Sequence, residues 1–509
     1  MTISNIMTQI DRVAERYPQR ICYQDGLQTY TYAQLKIESD RVAAFLQAQN
    51  LRQRAPVVVY GNQTFETVVT FLGAVKAGHA YIPVDSHSPK ERLVQINEVA
   101  HPAAVLEVVD LPLELDGPQI IKQQALKQVR NQGSLTYDRQ QSVTGDANFY
   151  IIFTSGTTGV PKGVQISHNN LLSFVNWMLA DFNLYEGIRA LSQASYAFDL
   201  SVMDLYPTLA LGGTLVALDK AVTDNFKQLF ATLPQLKLNE WVSTPSFIEI
   251  CLLDPNFNQK NYPTLNRFLF CGEELTVKTA SKLQAQFPDA EIYNTYGPTE
   301  ATVAVTSVQI TAALLKKYDR LPIGKAKADT QMYVVDETGQ PLSTGENGEL
   351  IITGPSVSKG YLNNPEKTKK AFFQVDTQQA YHSGDLGFID DQGLIFYRGR
   401  TDFQVKMHGY RIELEDVDQN LLQLDLVKQA STVPCYNDMH KVTQLVAYIV
   451  PNANDYTDKL TLTKAIKMAL GQAVMPYMIP QRLVYQDKLP LTINGKVDRK
   501  SLMAEVNQS

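Results

Sequence analysis

The sequence predicts an α/β protein. It has a large N-terminal domain of two α/β subdomains and a small β-barrel-like subdomain, followed by a small α+β C-terminal domain. Three observations lead there. With 509 residues, the chain exceeds what one core holds, and about 150 residues per domain gives roughly three units. At 44% apolar and 19% charged residues, the composition is globular. Short apolar runs alternate with helical patterns through the first part of the chain, which is the pattern of parallel sheets covered by helices.

The elements follow in order. In "MTISNIMTQIDRVAERYPQR", Ile6, Ile10, Val13 and Tyr17 fall on one helical face with charges opposite, an amphipathic surface helix. "PVVVY" (56–60) is a β-branched strand, and the helix from Thr64 to Ala77 is closed by Gly78. "AAVLEVV" (103–109), "FYIIF" (149–153), "LVAL" (215–218) and "RFLFC" (267–271) are further buried strands. From about residue 320 the pattern changes. "MYVVDETGQPLSTGENGELIITG" has apolar runs punctuated by Gly, Pro and Asn turns, which predicts an antiparallel or barrel-like piece. The last 100 or so residues hold a helix near 413–423, strands near 427–434 and 444–450, and a helix near 462–474.

Bulk properties narrow the functional classes. A net charge of −6 gives no support to nucleic-acid or lipid-surface binding. Cys22, Cys251, Cys271 and Cys435 are scattered without a C-x-x-C pair, which argues against a disulfide framework or zinc site and for a reducing cytoplasm. The N-terminus lacks a signal-peptide h-region, and no apolar run reaches the length of a membrane span.

One loop carries chemistry on its face. "FTSGTTGVPKGV" (153–164) follows the strand "FYIIF", and a strand leading into a Gly-rich turn is the setting of a phosphate cradle. Glycines let backbone N–H groups approach an anion. The hydroxyls of Thr154, Ser155, Thr157 and Thr158 add donors, and Lys162 adds charge. It is not a Walker A loop: Gly156 and Gly159 are three apart, and Lys162 precedes Gly163 rather than Ser or Thr.

"TSGTTGVPKG" resembles the signature loop of the adenylate-forming superfamily, which includes acyl-CoA synthetases, luciferases and peptide-synthetase adenylation domains. "GAVKAGHAYIPVD" (73–85), "NTYGPTEATV" (294–303), "GELIITGPSVSKGYLN" (349–363), "YHSGDLG" (381–387), "YRGRTDFQVKMHGYRIELEDVD" (397–418) and "NGKVDRKSL" (494–502) resemble its other signatures, in order along nearly the whole chain. The resemblance implies ATP as cosubstrate with Mg2+, and an acyl-adenylate that a thiol then attacks. Two anions react in the first step, so positive charge must offset their repulsion. By resemblance, Lys496 is the catalytic cation bridging the carboxylate and the α-phosphate. Thr154, Ser155, Gly156, Thr157, Thr158 and Lys162 contact phosphates. Asn294, Thr295, Tyr296, Gly297, Pro298 and Thr299 form the adenine and phosphate edge, with the Tyr296 ring on the base. Glu300 is the magnesium contact, and Asp385 receives the ribose hydroxyls beside Tyr397, Arg398, Gly399 and Arg400. His382 stands where relatives usually carry Arg or Lys. The resemblance also divides the chain into a core, 1–401, and a mobile C-terminal domain, 402–509. Asp402 is then the hinge and Gly409 lines the thiol tunnel.

The substrate is read from three positions. A buried ammonium needs a carboxylate, and Asp199 in "YAFDLSVMDLYP" stands where amino-acid-activating relatives place theirs; its plain alternative is a helix cap. Cys271 in "LFCGEEL" replaces a common glycine. With Val303 it resembles the Gram-positive enzymes that load D-alanine onto a small carrier protein for lipoteichoic acid esterification. The plain alternative for Cys271 is a buried structural cysteine. Because neither end of the chain carries a carrier or condensation domain, the phosphopantetheine thiol is expected on a separate carrier protein. The alternatives are a freestanding adenylation enzyme for L-alanine or glycine, a short-chain acyl-CoA synthetase, and a non-catalytic nucleotide-binding partner of a carrier.

Overall fold

The structure, a computed structural model, describes residues 2–156, 160–456, 458–491 and 497–507. Its contacts form two compact units. The first comprises residues up to Ser86, Ala100–Phe153 and Gly163–Thr401; the second comprises His87–Val99, Thr154–Lys162 and the chain from Asp402 onward.

The first unit is built on three sheets. A six-stranded sheet runs in the order Gln119–Ile121, Ala104–Glu107, Val57–Gly61, Tyr81–Asp85, Asn148–Thr154, Lys162–Ser167. Its central pairs are parallel, and Val57–Gly61 is buried along its length, as a β-branched run covered on both faces should be. The helix Phe65–Ala77 starts at Thr64, whose side chain accepts from Thr67 N. It stops at Gly78 with φ +98°, a left-handed cap that glycine adopts without strain. A nine-stranded sheet places Glu291–Tyr296, Arg267–Phe270, Glu240–Ser243 and Arg189–Ser192 side by side and parallel. The turn-rich stretch after residue 320 belongs to a five-stranded antiparallel sheet.

In the second unit, His408 and Gly409 have φ of +53° and +82°. Two consecutive positive values make the tight turn that matches strand twist, and here they join Gln404–Met407 to Tyr410–Glu413. The helix Leu414–Leu422 follows, then a sheet of Val427–Tyr436, Val442–Pro451 and Arg482–Tyr485. Val417, Leu421, Leu445, Ile449, Ile466 and Leu470 form its core. The helix expected near 462 begins at Lys459, because Asp458 accepts from Thr461 N and caps it earlier than the apolar pattern starts.

Candidate active site

In the first unit, four adjacent parallel strands send their carboxyl ends to one edge of the nine-stranded sheet, the place where α/β sheets bind ligands. Three of the strands lead to predicted site residues. Phe270 is followed by Cys271, Tyr296 by the 297–303 turn, and Arg189–Ser192 leads to Asp199 at the head of the helix Leu200–Ala210. Asp199 has the position of a helix cap but makes no capping hydrogen bond, so the structural alternative for this carboxylate is not realised. Its charge is felt by a buried tyrosine: burial first, and then Asp199, hold the Tyr150 hydroxyl well above its ordinary pKa. Tyr150 was not legible as a site neighbour, since it sits within an apolar strand motif. Cys271 and Val303 are 3% and 2% exposed, and the Cys271 thiol donates to the Val303 carbonyl at 3.7 Å.

The turn between them is tightly built. A Cβ on Gly297 would lie 2.5 Å from Ala304 Cα, so only glycine fits. Pro298 leads into the short turn Thr299–Ala301. Glu300 is fully buried; the Tyr361 hydroxyl donates to its Oε1 at 2.8 Å, and Ser358 N donates to its backbone oxygen at 2.8 Å. No group of three or more His, Cys, Asp or Glu converges among the described residues. A single buried carboxylate is nonetheless the protein share that Mg2+ takes when substrate phosphates and water complete its shell, so Glu300 fits that ion. Asn294 donates to Pro322 O at 2.9 Å and Thr295 to Phe270 O at 2.8 Å. Both side chains therefore brace the sheet.

Asp385 is 3% exposed. Arg400 Nη1 donates to its Oδ1 at 2.6 Å, and the Tyr296 hydroxyl donates to its Oδ2. Burial, then the Asp385 carboxylate, raise the Tyr296 pKa well above the ordinary value. The aim of Asp385 comes from an irregularity. Ile351 faces His382 while Glu349 faces Leu386, so the strand carries extra residues there, a bulge that redirects a side chain. Glu349, in "GELIITG", holds that bulge. Its Oε1 accepts Gly384 N at 2.9 Å and its Oε2 lies 3.1 Å from His382 Nδ1. Burial would raise the Glu349 pKa, but His382 and the Gly384 N–H outweigh it and the net direction is downward. Sequence reasoning noticed His382 as unusual and missed its partner. Tyr397 lies under the Arg320 guanidinium at 5.3 Å, and Arg398 over Phe388 at 5.1 Å. Gly399 has φ +126° beside Arg400.

Within the second unit, the phosphate-loop residues meet the 404–416 segment. Thr154 Oγ1 is buried with no hydrogen-bond partner among the described residues. Ser155 Oγ donates to Arg411 O at 3.1 Å. Lys162, 9% exposed, reaches Glu413 Oε1 at 3.4 Å, and Gln404 donates to the same oxygen at 2.7 Å. A Cβ on Gly156 would lie 2.2 Å from Val160 O. Burial pushes Asp416 up to about 6; Arg92, the Gly156 N–H and Asn420 oppose that shift, and Glu413 adds to it. Glu413 and Asp416 are contacts that no motif reading singled out. Asp402 Oδ1 accepts Gln404 N at 3.1 Å. Thr157, Thr158 and Lys496 lie outside the described residues.

Comparison with known proteins places this geometry. Residues 10–362 match the AMP-binding enzyme family, and residues 416–496 match the AMP-binding enzyme C-terminal domain. The chain is 62% identical over 505 residues to the D-alanine–D-alanyl carrier protein ligase of Lacticaseibacillus casei (strain BL23), covering 99% of this chain and 100% of that one. It is 51% identical over 511 residues to the protein of the same name from Streptococcus agalactiae serotype V, again covering 99% and 100%. Among solved structures, the Vibrio cholerae adenylation domain AlmE in complex with glycyl-adenosine-5'-phosphate superposes with a TM-score of 0.84 at 22% identity, covering 100% of this chain and 99% of that one. That likeness establishes the fold. No helix among the described residues is long and apolar enough to cross a membrane.

Proposed function

This chain belongs to the AMP-binding enzyme family, whose members use ATP, and from that premise we propose that it activates D-alanine and passes it to the phosphopantetheine thiol of a separate carrier protein. The observation that carries the reading is that Asp199, Cys271 and Val303 all follow the carboxyl ends of parallel strands of one sheet, with the Cys271 thiol on the Val303 carbonyl. It is supported by full-length identity of 62% to a relative named for that activity.

In the first step a D-alanine carboxylate oxygen attacks the α-phosphorus of ATP. The bond to the bridging oxygen breaks, and pyrophosphate leaves. Asp199 pairs with the ammonium, which otherwise would be costly to bury. Cys271 and Val303 set the wall against the α-substituent. Tyr296 and Arg400 hold Asp385 for the ribose hydroxyls, and Lys496 offsets the charge of the two reacting anions while aligning them. The hydroxyls of Thr154, Ser155, Thr157 and Thr158, together with Lys162, contact the departing phosphates. Glu300 would hold Mg2+, which, when bound, neutralises phosphate charge. In the second step the carrier thiol loses its proton and attacks the alanyl carbonyl carbon; the bond to the adenylate oxygen breaks and AMP leaves. One pocket serving two reactions requires a rearrangement between them, for which Asp402 is the proposed hinge, with Gly409 lining the thiol path. The product chemistry fits a cytoplasmic supplier of D-alanine for lipoteichoic acid.

ATP–pyrophosphate exchange tests this. D-alanine should support the fastest exchange, with L-alanine, glycine and acetate well behind. Fastest exchange with any of those three would overturn the substrate assignment.

A further inference from the structure

Thr302 and Val303 both lie in the left-handed region, with φ of +60° and +71°. For β-branched residues this backbone is strained, and strain of that kind persists only where surrounding contacts impose it. Two such residues in succession need a strong restraint. Thr302, fully buried, supplies one: its hydroxyl donates to Ser356 O at 2.7 Å. On the backbone, Ala304 N donates to Thr302 O at 2.9 Å and Val305 N to Tyr296 O at 2.8 Å, while Ser358 N holds Glu300 O at 2.8 Å. The 354–361 segment thus grips the turn from one side. On the other side the Cys271 thiol reaches the Val303 carbonyl.

We infer that Thr302 is a positioning residue for substrate discrimination: its hydroxyl, bonded to Ser356, locks the strained turn that fixes Val303 in the substrate pocket. This rests on the D-alanine reading above. Without the hydroxyl, Val303 relaxes toward an ordinary backbone conformation, its side chain swings, and the wall that separates the two alanine enantiomers loosens. The hydrogen bond from Arg400 to Asp385 belongs to a different strand pair, so loss of the Thr302 hydroxyl should move selectivity further than ATP affinity.

The test compares T302V, which keeps the branched shape and removes the hydroxyl, with T302S, which keeps the hydroxyl. T302G is added because glycine takes φ +60° without strain and folds even where valine does not. Pyrophosphate exchange gives kcat/KM for D-alanine and L-alanine, and KM for ATP. In T302V and T302G the D:L ratio should fall about tenfold, the scale of one lost buried hydrogen bond, with ATP KM within about twofold of wild type. T302S should retain the wild-type ratio. A merely structural role would lower both alanine rates together and leave their ratio unmoved. That result, in an enzyme whose wild type prefers D-alanine, would overturn the role of Thr302 alone. A wild type that prefers L-alanine, glycine or acetate would overturn the substrate reading and this role with it.

Discussion

Two buried cation–carboxylate clusters in the first unit look alike and behave differently. Around Lys76, the ammonium donates to Asp11 Oδ1 at 2.8 Å, Ser39 Oγ at 3.0 Å and Asp40 Oδ1 at 2.6 Å. Lys36 reaches the other Asp40 oxygen at 2.6 Å. An ammonium has three donors, so Lys76 is saturated. Around Asp385, by contrast, Arg400 donates to one carboxylate oxygen and Tyr296 to the other among the described residues, and a carboxylate accepts about four hydrogen bonds. The first cluster ties helices together and has no capacity left for a ligand. The second is held from two directions among the described residues, with acceptor positions that suit the proposed ribose contact. Charge and burial are alike in the two clusters, and saturation separates them.

Breaking the saturated cluster should have the largest effect. Lys76→Met keeps the stem and removes the charge, leaving buried Asp11 without the ammonium and Asp40 dependent on Lys36, and should cost about 3–5 kcal/mol of stability. Denaturant unfolding measures it, and ATP KM at a permissive temperature should stay at the wild-type value. An equal loss of ATP affinity would erase the distinction between the clusters. Asp385→Ala should strike ATP use as well as stability. Its kcat/KM for ATP should fall about 100-fold, the scale of charged hydrogen bonds lost, and its melting temperature should fall too, because the largely buried Arg400 side chain loses that carboxylate. The penalty should shrink for ATP lacking a ribose hydroxyl, since the contact is already gone.

A smaller effect should follow at Glu349. Glu349→Ala frees the Gly384 bulge and should raise ATP KM about tenfold. Glu349→Gln keeps a carbonyl for Gly384 N and should stay within about threefold. A glutamine variant as poor as alanine would show that charge, and not the acceptor, holds the bulge.

The smallest expected change extends the series to a third carboxylate, Asp416. Its pKa in the fold is raised from 3.8 to about 6 by burial, so the fold prefers its protonated form. That contribution is fully present below about pH 3.8 and is lost as pH rises through about 6. Asp416→Asn, a neutral near-isostere, should therefore raise the melting temperature by about 2–4 °C at pH 7.5 and leave it unchanged at pH 4. Equal shifts at both pH values would rule out ionisation as the cause.

Much of this was legible in the residues themselves. The helix bounded by Thr64 and Gly78 was readable because capping is local chemistry: a hydroxyl to a backbone N–H at one end, a left-handed glycine at the other. Parallel strands were readable as short apolar runs because both faces are buried. The partners of the predicted site residues were not readable. Glu349 lies 35 residues from Gly384, Tyr361 lies 61 from Glu300, and Tyr150 is one more aromatic residue in an apolar run. The side-chain bonds of Asn294 and Thr295 to Pro322 and Phe270 were likewise not readable from the motif.

By itself, the sequence determined the α/β class, the family and the residue types proposed for nucleotide and substrate, because periodicity, caps and signature strings depend on neighbours along the chain. Only the tertiary structure decided which way those groups point. The bulge at Gly384 and the paired left-handed residues Thr302 and Val303 are set by contacts with segments remote in the chain. Such contacts stabilise conformations that local preference alone would reject.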